Sequence, residues 1–244
     1  MGIILLILIF AILISSIYYR INKAKIKGTL GERKISSKLS SLPNNYLVFN
    51  DIYINVAGRS TQIDHVVISI YGIFVIETKN YTGWIYGSDN SEYWTKNIYG
   101  NKYQFRNPIK QNKSHILALK QLWGISTDKF IPIVTFLNGA DLKCETHEIV
   151  IYSNQLKSVI LSYKNQILSS EKVKDLAKIL RFASNANKGR KREHVRSVRH
   201  EITERNTLIH NGICPSCKGN LVERESKYGH FIGCSNYPKC KFRM

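Results

Sequence analysis

The stretch Gln62 to Lys79, QIDHVVISIYGIFVIETK, constrains the fold more than any other part of the chain. Two apolar runs, Val66 to Ile70 and Ile73 to Ile76, flank Tyr71-Gly72 and are rich in β-branched residues, which suit a pleated, buried surface. They predict two antiparallel strands joined by a tight hairpin. With Tyr71-Gly72 as the loop, Ile70 pairs with Ile73, Asp64 falls opposite Lys79, and Glu77 lies two residues along on the same face. Two carboxylates and an ammonium then converge at the strand ends. An odd-length loop or a bulge would shift this pairing by one residue.

Such a cluster suits metal-assisted phosphodiester hydrolysis. Asp64 and Glu77 are hard oxygen ligands for Mg²⁺ or Mn²⁺, and Mg²⁺ keeps several waters and takes its remaining ligands from substrate phosphate. Thr78 turns its side chain to the other face, but its backbone carbonyl stays within reach of the ion. Lys79 is placed to orient or help deprotonate the attacking water and to offset charge developing at phosphorus. Standing alone, an acid-x-lysine at a strand end is more often a solvated salt bridge.

The surrounding residues add weight. Gly31-Glu32 lies in an early helix, Phe49-Asn50-Asp51 in a first strand, Gln62-Ile63-Asp64-His65 in a second, and Gly72 to Tyr81, GIFVIETKNY, in a third. Gly83 and Trp94 follow, and Asn107-Pro108-Ile109-Lys110-Gln111 opens a later helix. From Gly28 to Gln121 this pattern closely resembles the nuclease-related domain family of the PD-(D/E)xK nuclease fold. The resemblance implies an α/β class, a restriction-endonuclease-like αβββαβ core, and nuclease chemistry. It also implies that Asp64, Glu77 and Lys79 form the catalytic core, with Glu32 and Gln111 as supporting helix residues. Read from the residues alone, Glu32 is an exposed surface glutamate and Gln111 a capping residue in the first turn of its helix.

Gly2 to Tyr19, GIILLILIFAILISSIYY, carries no charge and at 1.5 Å per residue reaches roughly 27 Å, close to a hydrocarbon core. No basic residue precedes it and bulky Ile17-Tyr18-Tyr19 closes it, which favours an uncleaved anchor over a signal peptide. Arg20, Lys23, Lys25 and Lys27 follow without an acid, so the positive-inside bias predicts a single-pass protein of the cell membrane with its bulk in the cytoplasm. The net charge of +19 is spread along the chain, as expected of a protein that meets polyanions. DNA or RNA is the natural partner, and for the run Arg20 to Lys27 anionic lipid is the nearer one.

Leu30, Ile35, Leu39 and Leu42 repeat at helical spacing before Pro43, and Tyr46 to Val56 reads as the first strand. Asn80 to Asn107 predicts hairpins and loops whose aromatics, Trp84, Tyr86, Tyr93, Trp94 and Tyr99, serve either packing or base stacking. Pro108 to Trp123 predicts a helix, Phe130 to Leu137 and His147 to Tyr152 predict strands, and Glu171 to Phe182 predicts a closing helix. The αβββαβ order is expected to set one face of a mixed sheet against helices. His65 alternates away from Asp64 and reads as a packed histidine. Ser184 to Ile209 is charged with few large apolar residues, a linker or an exposed helix.

Cys214, Cys217, Cys234 and Cys240 form C-x2-C-x16-C-x5-C, two pairs separated by a hairpin-sized stretch, as a tetrahedral Zn²⁺ site requires. Four thiolates close the shell, so the zinc is expected to be structural in a tail too small to fold unaided. Disulfides are the rival and conflict with a cytoplasmic location. Cys214 to Phe242 also resembles the four-cysteine zinc finger of bacterial type IA DNA topoisomerases, which implies single-stranded DNA binding. Tyr228, Phe231, Tyr237 and Phe242 offer stacking faces, and Lys218, Arg224, Lys227, Lys239 and Lys241 offer phosphate contacts. The expected domains are the anchor and juxtamembrane segment 1–27, the nuclease-related domain 28–183, a charged linker 184–210 and the ribbon 211–244. The function expected is a membrane-anchored, metal-dependent DNA endonuclease acting on single-stranded or branched DNA. A non-catalytic, membrane-tethered nucleic-acid-binding protein and an RNase are the alternatives.

Overall fold

The computed structural model describes residues 22–23, 25–186, 191–226 and 229–244. The apolar run 2–19 and the ribbon residues Lys227 and Tyr228 lie outside them. Among the described residues no helix is long and apolar enough to cross a membrane.

The chain enters through helix α1 (25–39) and strands β1 (Leu47–Val56), β2 (Arg59–Ser69) and β3 (Gly72–Lys79). Three further strands follow, β4 (Gly83–Tyr86), β5 (Tyr93–Ile98) and β6 (Asn101–Arg106), then helix α2 (Pro108–Trp123). Next come β7 (Phe130–Phe136), β8 (Ala140–Leu142), β9 (Ile149–Tyr152), α3 (Leu156–Ser162), α4 (Ser170–Ala186) and α5 (Lys191–His210). A hairpin of β10 (Leu221–Ser226) and β11 (Gly229–Cys234) ends the chain. The order α1-β1-β2-β3-α2-β7 is the expected αβββαβ core, with β4 to β6 inserted before α2.

The central sheet has the order β1-β2-β3-β7-β9. Its first strands pair antiparallel, whereas β7 joins β3 and β9 joins β7 in parallel. A parallel β3–β7 pair needs a crossover, and α2 supplies it. Helices cover both faces rather than the one face expected. Ile116, Leu119 and Trp123 of α2 and Val173, Leu176 and Leu180 of α4 pack on Ile68, Ile73 and Val75. On the other side Ile35 and Leu39 of α1 and Leu156 and Ile160 of α3 pack on Val67, Phe74 and Ile76. The unbroken apolar runs of β2, β3 and β7 already carried this property, because a strand buried on both faces has no polar alternation to show.

The β2–β3 hairpin also differs in register. Ser69 pairs with Gly72 and His65 with Ile76, so the two-residue turn is Ile70-Tyr71 and not Tyr71-Gly72. Gly72 has φ of 139°, and a Cβ there would collide with Ile131 Cδ1, which pins the turn's end to glycine. The shift is two residues, an even number, so every side chain keeps its face but changes its partner.

The stretch read as hairpins and loops forms a second sheet, β6-β5-β4-β8, whose buried Ile85 and Trp94 meet Phe136 and Ala140. Asn107 begins α2 by accepting from Ile109 N–H at 2.9 Å and donating to the carbonyls of Ser88, Asp89 and Ser91. One residue therefore ties the second sheet to the helix. Asn112, fully buried on α2, donates to Val75 O at 2.8 Å and Ile133 O at 3.0 Å, on the two strands joined in parallel. Asn112→Ala removes both donors and is expected to lower stability by about 2 kcal/mol. A reduced urea midpoint at unchanged slope is the readout; an unchanged midpoint would show that neither bond contributes.

Candidate functional site

The ladder ends at His65–Ile76, and Asp64 and Glu77 are the next residues on the two strands, with Lys79 two residues along on the same side. The turn Tyr71-Gly72 predicts the reverse, Lys79 across from Asp64 and Glu77 two residues along. Asp64 Oδ2 accepts from Thr78 N–H at 2.8 Å, bracing the carboxylate against the neighbouring strand. Glu77 is gripped at both oxygens: Lys79 Nζ lies 2.6 Å from Oε1, and His115 Nε2 lies 3.1 Å from Oε2. His115 Nδ1 in turn lies 3.1 Å from Thr61 Oγ1 on β2.

Two helices complete the site. On α2, Gln111 and His115 are separated by four residues and share a face. Capping of α2 falls to Asn107, which leaves Gln111 for the site, and its buried Oε1 has no hydrogen-bond partner among the described residues. On α1, Gly31 lies against Asn80, where a Cβ would come within 2.7 Å of Asn80 Cβ, and Asn80 Nδ2 donates to Lys27 O at 2.6 Å. This close approach brings Glu32 to the end of β3. Glu32, Asp64, Glu77, Gln111 and His115 all line one cavity of about 580 Å³, with Arg59 and Arg106 in its wall.

The two carboxylates have opposite electrostatics. Burial alone would raise Glu77, but the Lys79 ammonium and the His115 hydrogen bond outweigh it and hold the carboxyl down at about 2. Burial and the negative charge of Glu77 push Asp64 well above the usual carboxylate range, against the opposing Thr78 N–H and Lys79. Burial would lower Lys79, but Glu77 outweighs it and raises the ammonium above its ordinary value. Glu77 thus has cationic partners that favour its charged form, whereas the surroundings of Asp64 disfavour the charged form.

His115, Arg59 and Arg106 were not singled out from sequence. For His115 a signal was present, the four-residue spacing from Gln111. The two arginines carried none. His65 lies on the other side of the sheet, buried, with Nδ1 2.7 Å from Asn50 Oδ1, and burial lowers its pKa to about 4.

Lys79→Ala tests the charge balance. In the wild type the folded pKa of Glu77 lies below its ordinary value of 4.5, so its contribution is present above that pH and lost as the pH falls toward 2. In the variant burial dominates and the folded pKa rises, so stability is lost at neutral pH and regained on acidification. The expected loss is on the order of 3 kcal/mol at pH 7, smaller at pH 5, by chemical denaturation. Equal losses at both pH values would assign the effect to packing.

The cysteines make a second site. Cys214 and Cys217 precede β10, Cys234 ends β11, Cys240 follows it, and the four sulfurs lie within 4.8 Å of one another. Cys214 and Cys240 Sγ are 3.7 Å apart and Cys217 and Cys234 Sγ 3.3 Å, near the edge of roughly 3.8 Å of a tetrahedron with Zn–S of about 2.3 Å. No disulfide joins them. Asn236 donates through its backbone N–H to Cys234 Sγ and through Nδ2 to Cys217 Sγ, an outer layer that orients the thiolates. Among the described residues the buried core here is Cys214, Cys234 and Phe242, a small core that fits a structural zinc. The ribbon meets the rest of the chain at Arg205 of α5, which lies 3.2 Å from Glu92 and whose guanidinium covers both Tyr93 and Phe242. Cys217→Ser is expected to release zinc and expose residues 211–244 to protease while the sheet core melts unchanged. Retained zinc with retained protection would remove Cys217 from the ligand set.

A family model described as nuclease-related domain matches residues 27–137. A second, described as topoisomerase DNA binding C4 zinc finger, matches residues 211–244. An uncharacterised protein of Bacillus anthracis is 33% identical over 211 residues, spanning 81% of this chain and 99% of that protein. DNA topoisomerase 1 of Mycoplasmoides gallisepticum is 44% identical over 50 residues, and that of Campylobacter jejuni 70% over 30 residues. These two matches span 20% and 12% of this chain but only 7% and 4% of the topoisomerases, so what is shared is a small module and not their body.

Proposed function

The chain belongs to the nuclease-related domain family, and from that premise we propose that it is a membrane-anchored, metal-dependent DNA endonuclease whose zinc ribbon binds DNA, single-stranded or branched. The observation that carries the reading is the meeting of Asp64, Glu77 and Gln111 in one cavity, with Lys79 held against Glu77. Two adjacent carboxylates, one of them short of positive charge, form a donor set suited to Mg²⁺ or Mn²⁺. Asp64, Glu77 and the backbone carbonyl of Thr78 would hold the ion, with Glu32 adjusting the field from α1. When bound, it supplies Lewis-acid polarisation of the phosphoryl oxygens.

The chain's own groups account for the rest. Lys79 orients the attacking water and offsets charge at phosphorus as one P–O ester bond breaks. Gln111 positions a phosphate oxygen with its amide N–H groups, and His115 keeps Glu77 from rotating. Arg59 and Arg106 offer charge to the flanking phosphates. Residues 2–19 would anchor the chain, with Arg20 to Lys27 at the cytoplasmic surface.

The test follows plasmid nicking by the full-length chain in detergent, with and without Mg²⁺ or Mn²⁺. Asp64→Asn keeps the shape of a side chain that burial already drives toward neutrality, so it is expected to fold. It should lower metal-dependent nicking at least about a hundredfold while DNA binding survives. Tight binding by the wild type with no metal-dependent nicking would overturn the enzyme and leave a tethered nucleic-acid receptor, and cleavage confined to RNA would make it an RNase.

A further inference from the structure

The second sheet has one face in the core and the other in solvent. Ile85, Trp94 and Phe105 take the core side. Alternation sends Trp84 and Tyr86 to the opposite side, where they are 51% and 40% exposed. The ladder sets Trp84 across from Asn97 and Asn97 across from Lys102, and sets Tyr93 across from Arg106. Directly paired residues share a face, so one surface carries Trp84, Tyr86 and Tyr93 among the exposed cations Lys102 and Arg106. Asp141 lies across from Trp84 on β8, and Lys143 holds it at 3.3 Å.

What covers this face follows from where it leads. At one end Arg106 also lines the cavity of Asp64 and Glu77, so the face reaches the reacting site. At Tyr93 the Arg205 guanidinium lies 5.2 Å from the ring and 5.6 Å from that of Phe242 in the ribbon, so the face continues toward the zinc module. Open aromatic rings flanked by cations bind unpaired bases by stacking and their phosphates by charge; the bases of a duplex are already stacked on one another. We propose that this sheet face is a platform for single-stranded DNA, with bases on Trp84 and Tyr86 and phosphates at Lys102 and Arg106, delivering the strand to the cavity. It rests on the reading of that cavity as the cleavage site, but binding is measured without cleavage.

The experiment uses the full-length chain in detergent without divalent cations, and the anisotropy of a labelled oligo-dT, an abasic strand of equal length, and a blunt duplex. The Trp84→Ala, Tyr86→Ala double variant is expected to lose at least about tenfold in affinity for oligo-dT. It should bind the abasic strand and the duplex as the wild type does, and melt at the same temperature because both side chains are exposed. Unchanged affinity for oligo-dT overturns the platform. An equal loss on all three ligands overturns it as well, because the loss is then not one of stacking. Either failure leaves metal-dependent nicking by the wild type as a separate result.

Discussion

Ser69 pairs with Gly72 across the β2–β3 turn, and the ladder counted from that pair to His65–Ile76 brings Asp64 and Glu77 side by side just beyond it. Because side chains alternate with a period of two, a slip of one residue would carry Asp64 into the layer of α1 and α3 and leave Glu77 under α2. A slip of two would keep both on the α2 side but separate them along the strands. The observed register does neither, and Gly72 at the turn's end has a φ of 139° that L side chains rarely adopt. The central sheet thereby places two carboxylates opposite each other at the edge of a cavity.

Placing them there has an electrostatic cost that shapes the surrounding residues. A buried carboxylate with another beside it either takes up a proton or acquires positive partners. Glu77 follows the second course through Lys79 and His115, and Asp64 is driven toward the first. Asp64 is instead braced by a backbone N–H, which fixes its direction without supplying a full charge. Both carboxylates are therefore held by hydrogen bonds, Glu77 from cationic partners and Asp64 from a backbone N–H.

The second sheet and the ribbon serve another purpose. Asn107 joins loop 88–91 to the start of α2, so the inserted strands are held in place relative to the helix carrying Gln111 and His115. Arg205 links Tyr93 of that sheet and the preceding Glu92 to Phe242 of the ribbon, so the zinc module sits beside the sheet. Of the chain's many basic residues, Arg59 and Arg106 line the cavity and Lys102 is exposed on β6.

Local sequence determined the elements and their faces. The β-branched runs of β2 and β3, Pro108 at the start of α2, the apolar run of β7 and the C-x2-C-x16-C-x5-C spacing each have a short-range physical cause, and each is found as read. Asp64, Glu77 and Lys79 fall on one face under either register, because an even shift preserves alternation. Which two of them stand opposite was not legible, since Ile70-Tyr71 and Tyr71-Gly72 are both two-residue turns and differ by an even shift that alternation does not discriminate. The entry of His115 beside Glu77 and the division of the aromatics into buried Trp94 and exposed Trp84 and Tyr86 were likewise decided by tertiary structure. Alternation says that two residues differ in face; only the packing of one layer on another says which face is the core.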